Sequence, residues 1–183
     1  MDAKSKEVNL NHKVYSSGSS VTRLSTNILA ENMTICKDWN LSIDLKLPNR
    51  STTEWINIFS LYAYENTGQL GKRILAVSIR PDKSYVWLMV DIVFKHQLFK
   101  YNKKKKVNAG NWVSLKISEK NGLHEVKIDY KLVHNSTNFT PKVWTNVNLV
   151  TGNTFGKENI STIGYYRNFK LKTCKRTGNN TKK

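Results

Sequence analysis

Asn108-Ala-Gly-Asn-Trp-Val-Ser-Leu-Lys-Ile-Ser-Glu-Lys120, followed by Asn121-Gly-Leu-His-Glu-Val-Lys-Ile-Asp-Tyr-Lys-Leu-Val-His-Asn135, is the stretch whose reading decides the fold. Asn121-Gly122 sits between two alternating segments. That pair is the strongest short-range hairpin signal, because a type I′ turn needs positive φ at both central residues. Before it, Val113, Leu115 and Ile117 alternate with Ser114, Lys116 and Ser118; after it, Val126, Ile128 and Tyr130 alternate with Glu125, Lys127 and Asp129. Period two in both arms predicts two strands, each with a wet face and a packed face. Tyr130-Lys131-Leu132-Val133 is read as a continuation of the ribbon. A hairpin cannot bury its apolar face alone, so a second sheet must cover it.

Working outward, the chain supplies that cover. Residues 1–30 are polar and Ser-rich and are read as a flexible arm ending at most in a short strand. Met33 to Cys36 is a brief apolar segment. Trp39, Leu41, Ile43, Leu45 and Leu47 then alternate with polar residues, predicting a strand closed by Pro48-Asn49-Arg50. Trp55 to Tyr62 is apolar on both faces and therefore central. Ile74 to Ile79 and Tyr85 to Phe94 are further strands, with Leu98 to Tyr101 as a hairpin partner of the latter. The Lys103–Lys106 run leads as a loop into the hairpin, Asn135 to Pro141 is a polar connection, Val143 to Val150 is a strand and Ile163 to Thr173 closes the domain. No stretch sustains a helical period. Ten or so strands, with frequent turn signals and no Cys-Trp-Cys spacing, indicate an all-β, two-sheet antiparallel jelly roll over residues 31–174, followed by a basic tail at 175–183.

A chain of 183 residues is expected to form one such domain, burying roughly 70% of its unfolded surface. The formal charge is +17, from 30 Lys and Arg against 13 Asp and Glu. A field of that sign favours acidic glycans, nucleic acid or anionic membranes; an Asn- and Lys-rich coding bias would produce the same composition. No apolar run reaches the roughly 20 residues of a membrane-spanning helix. Met1 to Glu7 has no apolar core, so no signal peptide is expected and the chain is either cytosolic or begins after a cleavage point. Seven Asn-x-Ser/Thr sequons occur, at Asn32, Asn40, Asn49, Asn135, Asn138, Asn159 and Asn179, about twice the number chance would give. Together with the sparse cysteines they favour export and glycosylation. Cys36 and Cys174 are the only cysteines, too few for a zinc site without histidines at ligand spacing.

The order of elements resembles the concanavalin A-like lectin/glucanase jelly roll in its laminin G-like or pentraxin-like form. The resemblance is carried by Trp39 to Leu47, by Trp55 to Leu61, by the Trp112-Val-Ser-Leu115 … Val126-Lys-Ile128 ribbon and by Thr162 to Leu171. It covers residues 30–174 and implies fold, not activity. It also implies that the first and last strands lie side by side, which would let Cys36 and Cys174 form a disulfide; two free buried thiols are the alternative.

Catalytic patterns are missing. The glucanase branch uses Glu-x-Asp-x-x-Glu on one strand, and this chain has none. Glu125 and Asp129, the nearest same-face acids, should stand roughly 13–14 Å apart, beyond the ~5–9.5 Å of a glycosidase pair. His124 and His134 lack a nucleophile at any known spacing and are read as surface or turn histidines. Asp82, Glu65 and Glu158 are scattered and Asp91 lies in an apolar strand, so no Ca²⁺ motif carries over, although Ca²⁺ use stays open. The galectin constellation is also missing.

Binding is the remaining chemistry. Lys103, Lys104, Lys105 and Lys106, preceded by Tyr101, could hold sulfate, carboxylate or phosphate groups; a solvated turn blunting a strand edge is the alternative. Trp87 and Trp144 are candidates for stacking on a sugar, or core residues. The resulting expectation is a secreted, non-catalytic module that needs no cofactor and binds a glycan, acidic ones included, or an extracellular protein surface. A degenerate glycan-active enzyme and a basic nucleic-acid binder are the alternatives.

Overall fold

The computed structural model describes residues 12–16, 19–24, 27–47, 56–63, 73–80, 87–94, 97–106, 110–137, 143–152 and 164–174. Within them run thirteen strands: β1 (His12–Ser16), β2 (Thr22–Arg23), β3 (Asn27–Ile35), β4 (Trp39–Lys46), β5 (Ile56–Ala63), β6 (Arg73–Arg80), β7 (Trp87–Phe94), β8 (Gln97–Lys106), β9 (Trp112–Lys120), β10 (Leu123–Ile128), β11 (Lys131–Ser136), β12 (Trp144–Thr151) and β13 (Tyr165–Cys174). One antiparallel sheet has the order β1-β13-β4-β9-β10-β11, with β2 on β13. The other has the order β3-β12-β5-β6-β7-β8. The two make the expected β-sandwich.

The hairpin forms as its sequence dictates. Asn121 and Gly122 have φ of 51° and 76°, and Leu123 pairs with Lys120 across the turn. Leu41, Ile43, Leu45, Val113, Leu115, Ile117, Val126 and Leu171 are all buried in one core with Phe59, Leu61, Leu75, Val77 and Leu149 of the second sheet. The alternate residues of β5 and β6, Ser60, Tyr62 and Ala76, are buried as well. That is the two-sided burial expected of a central segment.

Four expectations change. The polar arm contains β1 and β2 and the start of β3, because β13 offers an edge: His12 to Ser16 pair with Cys174 to Lys170. The ribbon does not run on through Tyr130. Asp129 and Tyr130 both take positive φ, 49° and 63°, turning the chain so that β11 folds back along β10 and leaving Tyr130 89% exposed. Asn135 and Ser136 extend that new strand instead of opening a loop. The Lys103–Lys106 run is likewise not a loop; it completes β8, with Lys105 and Lys106 paired to Leu88 and Trp87. The 175–183 tail and the Pro48–Arg50 closure lie outside the described residues.

Cys36 and Cys174 are disulfide-bonded with Cα atoms 5.6 Å apart, inside the normal range. The side-by-side strands are β4, which follows Cys36, and β13, which ends at Cys174; β3, which leads into Cys36, belongs to the second sheet, so the bond sits where the chain crosses between sheets. Thr173 fastens the same crossing. Its Oγ1 accepts from the Cys36 N–H at 3.2 Å and donates to the Thr34 carbonyl at 2.6 Å.

Candidate functional site

The residues read as ligand-binding do not converge. Lys103–Lys106, Tyr101 and Trp87 sit on β8 and β7, at one edge of the second sheet, and are placed by their strands alone. Trp144 begins β12 near the opposite edge and packs, partly buried, against the core. Of the sequons, Asn32 and Asn135 are exposed and Asn40 is half-buried on β4; Asn49, Asn138, Asn159 and Asn179 lie outside the described residues.

A denser basic surface lies on the outward face of the first sheet. Register sets it out in rows. One row runs Ser16, Lys170, Ser42, Lys116, Lys127 from β1 through β13, β4 and β9 to β10. The next runs Val14, Lys172, Asn40, Ser118, Glu125. Leu171, Leu41, Ile117 and Val126 alternate with these residues and are fully buried, so the polar rows point away from the core. Lys116 and Lys170 are exposed, Lys127 and Lys172 half-exposed. Lys116 stands directly opposite Lys127, a like-charge pairing that costs stability. Glu125 offsets Lys127 at 3.2 Å. Lys116, Lys170 and Lys172 have no ion-pair partner among the described residues.

Toward the other end of β4 the face closes on itself. Arg167 lies over the Trp112 ring at 4.2 Å, 3.5 Å from Asp44, and Asn168 donates to Asp44 at 2.7 Å. A stacked and paired arginine is a structural latch. This surface was not among the binding residues expected from sequence. Its signal was present in Lys170-Leu171-Lys172 and Lys116, lysines at outward positions of period-two strands, but only register shows that they adjoin.

A second polar cluster is internal. Glu119, His124 and His134 sit on β9, β10 and β11 toward the Trp39 end of the sheet. The Trp39 indole N–H donates to Glu119 Oε2 at 3.0 Å; the His124 ring is 6.5 Å from Trp39 and 6.2 Å from His134, centroid to centroid. His124 is 1% exposed, so it is an interior residue, not the surface or turn histidine expected. Burial pushes the Glu119 carboxyl up to about 7, with Asp38 adding to the rise and the Trp39 hydrogen bond opposing it. Burial, with His134 beside it, pushes His124 down to about 4.

The two same-face acids read from the sequence are each engaged locally. Glu125 is engaged by Lys127, and Asp129 caps a turn by accepting the Ser114 N–H at 3.0 Å. Among the described residues no group of His, Cys, Asp and Glu could hold a metal ion.

No family model matches the sequence, and no curated protein matches it. Solved structures do match the fold. Domain 4 of AbnA, a GH43 extracellular arabinanase from Geobacillus stearothermophilus solved with arabinotriose, aligns over 92% of this chain and 85% of its own, at 14% identity and a TM-score of 0.57. The carbohydrate recognition domain of Emp47p aligns over 93% and 91%, at 11% identity and 0.53. An alginate lyase from Pseudomonas aeruginosa aligns over 75% and 65%, at 13% identity and 0.53. The fold is the concanavalin A-like jelly roll.

Proposed function

We propose that this protein is an exported, non-catalytic glycan-binding module. The observation that carries the reading is the fold's likeness, over nearly the whole chain, to a domain solved with arabinotriose and to a carbohydrate recognition domain. The disulfide supports export, since such bonds persist in oxidising compartments. No helix among the described residues is long and apolar enough to cross a membrane. The non-catalytic part is supported by how the acids are used: Glu125 is tied to Lys127, Asp129 accepts from a turn N–H and Glu119 is held in the interior by the Trp39 indole.

A glycan array of neutral and acidic oligosaccharides, read with and without Ca²⁺, tests the reading together with a depolymerisation assay on arabinan, alginate and laminarin-type glucan. Binding without depolymerisation is expected. No binding to any glycan, or cleavage of one, would refute it.

A further inference from the structure

We propose that the outward face of the β1-β13-β4-β9-β10 sheet, centred on Lys116, Lys170 and Lys172, binds an acidic polysaccharide chain. The inference rests on the glycan-binding reading and deepens it by naming a surface and a ligand class.

The first argument is shape set by residue size. β4 places Asn40 and Ser42 in the middle of the face, and register flanks them with Lys172 and Lys170 on β13 and with Ser118 and Lys116 on β9. At Ser42 a short side chain lies between two long ones, and at Asn40 only Lys172 stands beside it, so the trough is open toward Ser118 on β9. Adjacent strands lie ~4.8 Å apart, so Lys170 and Lys116 face each other across Ser42 at ~10 Å between backbones, and the row to Lys127 spans about 14 Å. Hydroxyl and amide groups line the floor and ammonium groups the walls. Sugar hydroxyls and anionic substituents call for that combination.

The second argument is charge. Of the acids on this face, Asp44 is held by Arg167 and Asn168, and Glu125 by Lys127. The positive excess at Lys116, Lys170 and Lys172 has no counterpart among the described residues. A single small anion would satisfy one lysine. A chain carrying a charge on successive sugars would meet all three, releasing counterions from both partners as any polyelectrolyte does.

Alternative places are weaker. The middle strands of the second sheet do not present an open counterpart: Ser60, Tyr62, Ala76, Asn148 and Val150 are buried. Their polar groups are used internally; Ser60 donates to Asn57 at 2.9 Å and Asn148 accepts the Asn32 N–H at 2.9 Å. The β8 lysines lie on an edge strand whose pairing with β7 is interrupted between Tyr101 and Lys105.

The test is binding of the full chain to heparin, measured across a salt series, alongside a neutral arabinan. The Lys116→Gln, Lys170→Gln, Lys172→Gln triple variant should bind heparin about tenfold more weakly at physiological ionic strength, with a shallower salt dependence. The matching Lys→Arg triple variant should retain binding, and a Lys103→Gln, Lys104→Gln, Lys105→Gln variant, equal in net charge to the first, should bind like the parent. Unaltered thermal unfolding of each variant shows that the surface, not the fold, was changed. If the β8 variant loses as much as the first, or the first loses nothing, the proposed surface is wrong while glycan binding stands. Binding of the parent to arabinan but not heparin likewise overturns only this inference. Failure to bind any glycan overturns both, and displacement of heparin by single-stranded DNA at far lower concentration identifies the face as a nucleic-acid surface and overturns the glycan assignment.

Discussion

Cys36 and Cys174 are bonded across the two sheets, 138 residues apart in sequence and 5.6 Å apart between Cα atoms. The bond closes nearly the whole domain into one loop, and it does so where the chain crosses from β3 into β4. Thr173 sits beneath it, fully buried, joining Cys36 and Thr34 through one hydroxyl.

A Cys36→Ser, Cys174→Ser variant should therefore be less stable by up to ~5 kcal/mol, the chain-entropy value for a loop of this length. Urea unfolding of the variant against the oxidised parent measures it. A midpoint unchanged from the parent would show that the crossing is held by Thr173 and the core alone.

Glu119 and His124 set opposing pH dependences. The Glu119 carboxyl titrates near 7 in the folded chain against 4.5 ordinarily. Its contribution is fully present below 4.5 and is lost as pH rises through 7. His124 titrates near 4 against 6.5, so its contribution is present above 6.5 and lost as pH falls through 4. Relative to the parent, Glu119→Gln should gain stability as pH rises from 4.5 to 7, and His124→Gln should gain as pH falls from 6.5 to 4. Denaturation midpoints at stepped pH give both differences; slopes of the reverse sign would contradict the burial that causes the shifts.

Gly164 has a φ of +132°, where side chains are strained. A Cβ there would run into the Lys46 carbonyl oxygen. Its own carbonyl accepts the Leu24 N–H at 2.8 Å, tying the segment before β3 to the start of β13. Gly164→Ala should cost about 1–3 kcal/mol, readable as a lowered thermal midpoint, whereas a neutral outcome would mean that this junction relaxes freely.

Glycosylation should divide by position. Asn135 is exposed on the edge strand β11 and open to modification. Asn40 is half-buried in the middle of a sheet face, between Lys172 and Ser118. Peptide mapping of protein secreted by a eukaryotic host should find Asn135 occupied, and any fraction carrying glycan at Asn40 should elute early from heparin. Retention equal to that of the unmodified fraction would argue against the β4 trough.

The hairpin at Asn121-Gly122, the alternation of Trp39 to Leu47 and the double-sided burial of Ile58 to Tyr62 were legible in the sequence, because each depends on local periodicity and turn chemistry. So was the sandwich they require, since a half-apolar ribbon must be covered. The turn at Asp129-Tyr130 was not, because positive φ at an aromatic residue is chosen by strand pairing against local preference. Nor was β1, a polar segment that becomes a strand only because β13 has an unfilled edge. His124 was expected at the surface or in a turn; it is interior because it stands two residues from Val126 on the packed face of β10. The basic face has its origin in register. Lys116, Lys170 and Lys172 are ordinary outward residues of distant strands, and only the β13-β4-β9 pairing, fixed by burial of Leu171, Leu41 and Ile117 beneath them, brings their charges onto one surface.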